Sequence, residues 1–136
     1  MPRRRRLRNV VAPPGFRGYR PYGHAGRKQH AVELMYEEYE AIKLADYDRM
    51  NHQEASGLMG VSRATFARIY ESARRKIAQA LVETREIRAV YGHATMDKSW
   101  FVCQDCHARF SAGQNGQEEV CPVCKSESVE LLNKDL

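Results

Sequence analysis

The first 102 residues contain no cysteine, and residues 1–30 contain no acidic side chain. All four cysteines lie beyond residue 100, in two C-x-x-C pairs. That distribution excludes a disulfide framework spread along a secreted chain and points to metal ligation in a reducing compartment. Long apolar runs are missing too. None approaches the ~20 residues of a membrane span. The arginine-rich start is not followed by an apolar stretch, which argues against a secretory signal. A solid arginine block running into proline and glycine is also a poor transit peptide. The expectation is a cytoplasmic protein without a membrane partner.

The machinery of catalysis is equally sparse. No nucleophile–base pair, glycine-rich phosphate loop or carboxylate pair stands out, so the chain reads as a non-enzyme. What is present is uneven charge. The net charge is +5 over 136 residues. Residues 1–30 hold nine Lys/Arg, including Arg3, Arg4, Arg5, Arg6 and Arg8. The remainder carries thirteen basic and seventeen acidic side chains. A near-neutral body with a cationic arm suits a phosphate-bearing partner, with a solubilising tail as the alternative.

Three segments follow. Residues 1–31, with four of the five prolines, predict a basic extended arm. Residues 32–83 read as helical, broken near Asp48–Asn51. Met35, Tyr39 and Ile42 recur at i, i+4, i+7, continued by Leu44 and Ala45. A shorter helix is expected from His52 to Met59, ended by Gly60, and a long one from Arg63 to about Glu83, capped by Ser62. Ile87–Tyr91 suggests a short strand, giving a helical domain over 32–91. Residues 92–136 form a small module with strands near Trp100–Val102, Arg109–Phe110 and Val129–Leu132. The fold class expected is mainly α: a three-helix helix-turn-helix domain with a basic N-terminal arm and a zinc-ribbon-like C-terminal β module.

The segment Gln53–Ile69 carries the sharpest functional signal. Gly60 allows a tight turn between two helices. Ala55, Met59, Val61, Phe66 and Ile69 have the spacing of a shared apolar contact. Arg63, Ala64, Thr65, Ala67 and Arg68 then face outward, small or hydrogen-bonding types such as a helix in a major groove requires. Ser62 stands at that helix's start. Ser56 departs from the usual alanine, although its hydroxyl can bond back to a carbonyl. A helical hairpin that binds nothing is the alternative. Arg74, Arg75 and Lys76, two turns further on, suit phosphate contact or a solvated face pairing with Glu71.

The strings Val32-Glu33-Leu34, Tyr39 to Asp46, Gln53-Glu54-Ala55, Met59 to Arg63, Thr65-Phe66 and Glu71 to Val82 resemble the domain of unknown function 134 family. Met1-Pro2-Arg3-Arg4 and the Phe16 to Pro21 segment share that likeness, which covers roughly residues 1–91. The resemblance implies small prokaryotic proteins predicted to bind DNA, with a helix-turn-helix similar to region 4 of sigma factors. It supplies no target gene.

Cys103-Gln104-Asp105-Cys106 and Cys121-Pro122-Val123-Cys124 are 14 residues apart. Two such turns form a closed tetrahedral S4 site suited to Zn2+. A single iron or an iron–sulfur cluster is the alternative, since Cys-Pro-Val-Cys resembles half of a rubredoxin site. The metal would supply much of this small module's folding energy. His107 reads as a bystander. The function expected is sequence-specific binding of double-stranded DNA by a homodimeric transcriptional regulator, with Ala73, Ile77, Ala80 and Leu81 as a candidate dimer seam. A rubredoxin-like redox protein, or an adaptor that binds RNA polymerase through the ribbon, are the competing readings.

Overall fold

A computed structural model describes residues 7–23, 29–96, 99–111 and 120–132. The chain divides into two units, one of residues 1–10 with 18–95 and the other of 11–17 with 96–136.

The larger unit opens with β1 (Arg8–Asn9) and β2 (Gly18–Tyr19), then β3 (Val32–Met35). Helix α1 (Tyr36–Ile42) runs into a π-helical turn over Lys43–Tyr47. Next come α2 (His52–Met59), α3 (Arg63–Glu83), β4 (Ile87–Val90) and β5 (Ala94–Thr95). β4 is the centre of a three-stranded sheet, antiparallel to β2 and parallel to β3, with Val32 opposite Ile87 and Met35 opposite Val90. Parallel neighbours need a long crossover, and here the crossover is the whole α1–α2–α3 segment. β1 lies parallel to β5, Arg8 opposite Ala94.

Helix α3 packs against α1, α2 and β3. The core is Ala41, Leu44, Ala55, Met59, Phe66 and Ile69, with Val61 and Tyr70 at its edge. Burying the Phe66 ring contributes about 1.5–3 kcal/mol. His52 meets the rings of Phe66 and Tyr70 edge-on at 5.1 and 5.3 Å. Asn51 caps α2 by accepting from the Glu54 amide at 2.8 Å. Ser62 caps α3 by accepting from the Thr65 amide at 3.1 Å.

The smaller unit holds β6 (Trp100–Cys103), β7 (Arg109–Ser111) and β8 (Val129–Leu131). β6 is central and antiparallel to both neighbours. Phe101 and Phe110 stack at 5.8 Å across the β6–β7 pair.

The expected mainly α, three-helix fold is overturned. Among the described residues, three α-helices share the chain with eight strands in three sheets. Val32–Met35, read as part of a helical stretch, is instead a strand with Val32 and Leu34 buried and Glu33 exposed. Four residues hold too few periods to separate the two patterns, and the partner that decides is β4, more than 50 residues away. The expected arm likewise contributes β1 and β2. Helix α1 also turns a different face inward. Tyr39 and Ile42 are only half-buried, while Glu37, Glu38 and Glu40 are 2%, 1% and 1% exposed.

Candidate metal centre and nucleic-acid interface

In the smaller unit, two C-x-x-C turns repeat one geometry. The first begins at the end of β6. The Cys103 amide donates to the Ala108 carbonyl at 3.0 Å and the His107 amide to the Cys103 carbonyl at 2.9 Å. In the second, Cys121 donates to Ser126 at 2.8 Å and Lys125 to Cys121 at 2.9 Å. His107 and Lys125, each just after its pair, take positive φ of 64° and 65°. That left-handed residue bends the chain back so that both sulfurs of a turn face one point. His107 therefore closes the first turn, a role its spacing did not reveal.

The four sulfurs lie within 4.8 Å of one another. Cys103 and Cys124 are 3.5 Å apart, Cys106 and Cys121 3.6 Å. A tetrahedron with metal–sulfur bonds of about 2.3 Å has edges of about 3.8 Å, so this cage fits one metal ion. Amides of Cys106 and Val123 point at the sulfurs of Cys103 and Cys121, at 3.5 and 3.4 Å. The Cys106 amide, chiefly, pulls the Cys103 thiol down to about 6. The Cys124 amide does the same in direction for Cys121. At Cys124 the Ser126 amide lowers the thiol, but hydrogen bonding with Cys103 and burial outweigh it and push it up to about 12. Backbone amides thus lower one thiol of each pair, and a metal takes the thiolate form.

In the larger unit, α2 and α3 meet across Gly60 and fall within the limits their spacing predicted. Gly60 has φ of 67°, a left-handed conformation that favours glycine, and a Cβ there would stand 2.9 Å from the Asn9 side-chain amide, which would have to shift. Ser56 donates to the Gln53 carbonyl at 2.9 Å, which accommodates its hydroxyl in the buried face.

The start of α3 is open to solvent. Ser62, Arg63, Ala64 and Arg68 are exposed and Thr65 half-buried. The Ser62 hydroxyl donates to Thr65 Oγ1 at 2.9 Å, and Arg68 Nη2 donates to that same oxygen at 3.2 Å. Ser62 is thereby committed to capping, while Thr65 keeps a hydroxyl proton to give. No acid occupies the first turn of α3, so its positive end is not neutralised from within the helix.

The three downstream cations are held differently. Arg74 lies 5.3 Å over the Tyr70 ring. Arg75 pairs with Glu71 at 3.0 Å, both side chains largely exposed. Lys76 donates at 2.8 Å to Glu38, which is 1% exposed on its side chain. Glu38 also accepts from the Met35 amide at 2.8 Å and the Ser72 hydroxyl at 2.6 Å. This buried carboxylate hub was not visible in the sequence, where Lys76 read as a phosphate contact or part of a solvated face. Arg3, Arg4, Arg5 and Arg6 lie outside the described residues.

The profile of the family described as "Protein of unknown function DUF134" matches residues 1–96. The chain belongs to the DUF134 family. Similar chains include a UPF0251 protein of Chloroherpeton thalassium, 38% identical over 130 residues, covering 96% of this chain and 86% of its own. Another, of Methanothermobacter thermautotrophicus, is 35% identical over 135 residues, covering 99% and 70%. A third, of Pelotomaculum thermopropionicum, is 38% identical over 126 residues, covering 93% and 95%. The match to the DUF134 family ends before the cysteines, whereas these relatives align across them. No solved structure matches the chain. No described helix is long and apolar enough to cross a membrane.

Proposed function

We propose that this DUF134 protein binds double-stranded DNA in a sequence-specific manner, with the N-terminal turns of α3 in the major groove. The observation that carries the reading is the exposed start of α3. Arg63, Ala64, Thr65 and Arg68 stand at an unneutralised helix end, braced from behind by α2 across the Gly60 turn. Small residues allow close approach, and arginine favours the O6 and N7 of guanine. Arg68 is the base reader. Arg63, nearest the helix N-terminus, suits a base or a phosphate. Arg74 and Arg75 are positioned two turns away for the backbone, and the arginines at 3–6 add phosphate contacts without sequence preference.

The cysteine cage takes one Zn2+ in a structural role. Its closed set of four ligands leaves no position for a substrate, which favours a regulator over an enzyme. Iron in the same cage would colour the protein, so visible absorbance separates a rubredoxin-like carrier from this reading. A dimer on DNA would use the seam that α3 leaves open. Ala73 and Ala80 are already buried within the chain, which shifts that seam to Leu81 and Val82, 74% and 83% exposed.

The deciding experiment selects bound fragments from a genomic library and measures affinity by anisotropy. Arg68→Ala should cost about 1–3 kcal/mol on the best site and relax preference at one position. Wild-type affinity with unaltered preference in folded, metal-loaded Arg68→Ala would remove Arg68 from base reading. Failure of the wild type to enrich any fragment would remove the DNA function and leave the ribbon as a protein-binding adaptor.

A further inference from the structure

Helix α3 buries Phe66, Ile69, Ala73 and Ala80 and so turns the opposite face outward. One line of that outer face runs through Ala64, Ala67, Glu71, Arg75 and Ala78, at spacings of three or four residues. Ala64, Glu71, Arg75 and Ala78 are exposed and Ala67 is half-buried. The line begins among the residues assigned to the groove above, and Glu71 is its one acid. Glu71 stands three residues beyond Arg68, about 4.5 Å along the axis at about 1.5 Å per residue. Base steps are about 3.4 Å, so its Cα lies roughly one step further along the groove than that of Arg68.

This carboxylate is lightly held. It pairs with Arg75 at 3.0 Å, the two side chains 65% and 80% exposed. A surface pair of this kind contributes little and exchanges readily. The neighbouring cations of α3 are turned elsewhere. Arg68 donates to Thr65, Arg74 lies over the Tyr70 ring, and Lys76 is bound to Glu38. When Arg75 takes a phosphate, Glu71 is left facing a polyanion. Phosphates and the acceptor atoms of the base edges both repel a bare carboxylate. Only a base that offers a proton stabilises it there.

An ionised carboxylate accepts hydrogen bonds and donates none. In the major groove the donors are the amines of cytosine and adenine. The adenine amine is flanked by N7, a second acceptor that faces the carboxylate with like polarity, whereas the cytosine amine is flanked by a C–H group. We infer that Glu71 is a specificity-determining residue, accepting from the N4 amine of a cytosine about one base pair from the guanine read by Arg68. This rests on the DNA-binding reading above and names what that site selects.

The test is selection from a random duplex library with the full, metal-loaded chain, comparing wild type with Glu71→Gln, Glu71→Ala and Arg75→Ala. Both side chains are at the surface, so all three variants should fold, with circular dichroism as the check. The wild type should prefer cytosine at one position, other bases being weaker by about 5- to 150-fold in anisotropy titrations. Glutamine pairs with N6 and N7 of adenine, so Glu71→Gln should lose the cytosine preference and gain adenine in its place. Glu71→Ala should erase the preference and strengthen binding to mixed-sequence DNA by about twofold at low salt. Arg75→Ala should weaken all sequences alike and keep the cytosine. If Glu71 merely held Arg75 in place, Arg75→Ala would lose the preference as Glu71→Ala does, and that result overturns the inference. So does a preference that Glu71→Gln and Glu71→Ala leave unchanged, even where mixed-sequence affinity rises. A wild type that enriches a site without this cytosine overturns the inference and leaves DNA binding standing. A wild type that enriches nothing overturns the DNA reading itself.

Discussion

Replacing Lys76 with Met separates service to the fold from service to a nucleic acid. The Lys76 ammonium is 2.8 Å from Glu38 Oε1, and the Glu38 side chain is 1% exposed. The substitution keeps the aliphatic stem but removes the charge that neutralises a buried carboxylate. Two donors remain, the Met35 amide and the Ser72 hydroxyl. Breaking a buried ion pair from one side costs about 3–5 kcal/mol. Lys76 is itself 30% exposed, so water reaches part of the pair and the lower end, about 3 kcal/mol, is expected. A domain of this size shifts about 4–8 °C per kcal/mol, so the helical melting transition should fall by about 12–24 °C. Far-UV circular dichroism in urea and on heating measures it. Adding Glu38→Gln removes the orphaned charge and should recover at least about 1 kcal/mol of the loss. On DNA, Lys76→Met should leave the salt dependence unchanged. Arg74→Ala or Arg75→Ala should each flatten the slope of log affinity against log salt by about 0.9 where a phosphate contact is lost. A Lys76→Met protein within about 0.5 kcal/mol of wild-type stability, with a flatter salt slope, would refute the reasoning.

Cys121→Ser should release the metal and unfold strands β6–β8 while the helical signal persists; elemental analysis together with amide hydrogen exchange reads both. Gly92→Ala would drive a methyl into Glu37 Oε1 and to within 2.8 Å of Met35 Sδ, and should destabilise the larger unit by about 1–3 kcal/mol in urea unfolding. Thr84 closes α3 at a φ of 55°, a region costly to a β-branched residue, so Thr84→Gly should raise the unfolding free energy by about 1 kcal/mol, read as a higher urea midpoint. Glu86 accepts from Arg20 at 2.6 Å, which holds its carboxyl below the ordinary 4.5. Its folded value being the lower, the pair adds stability above the unfolded value and loses it as pH falls through the folded one. Arg88 also donates to Glu86 at 3.0 Å, so Arg20→Met should reduce but not abolish that acid-limb contribution in pH-dependent urea titrations, and the effect should be small because Arg20 is 83% exposed.

The parts of the chain legible in advance are those governed by local rules. Gly60 and Ser62 punctuate α2 and α3 through a positive φ and a cap, interactions spanning three residues or fewer, and both helix limits follow from them. The cysteine spacing likewise fixes a site, because each C-x-x-C is a turn in itself and the S4 chemistry joins the two. What the sequence hid is non-local. β3 exists because β4 pairs with it, and β1 because β5 does. A four-residue strand and a two-residue strand have no period of their own to read. The left-handed conformation of His107 was hidden for another reason. A histidine after C-x-x-C invites a reading as ligand or bystander, and its backbone role appears only beside Lys125, which does the same work in the second turn.

The inward acids of α1 show why amphipathic periodicity misled. Met35, Tyr39 and Ile42 mark an apolar stripe, and a helix whose acids face water would bury that stripe. Here the buried set is Tyr36, Glu37, Glu38, Glu40 and Ala41. Such a face is costly in a low-dielectric interior unless partners fix it, and they do so with direction. Glu38 binds the start of its own helix at Met35 and the middle of α3 at Ser72 and Lys76. Apolar packing alone tolerates sliding between helices, whereas a carboxylate with three donors is satisfied in one register. Under the function proposed above, the register matters for α3 because its N-terminal turns would be presented to DNA at a defined angle beyond α2. A hydrophobic replacement of the pair could match its stability and still lose that angle. Glu38 thus sets the register of α1 on the middle of α3, and under the function proposed above that contact governs how the exposed Arg63, Ala64 and Arg68 are presented.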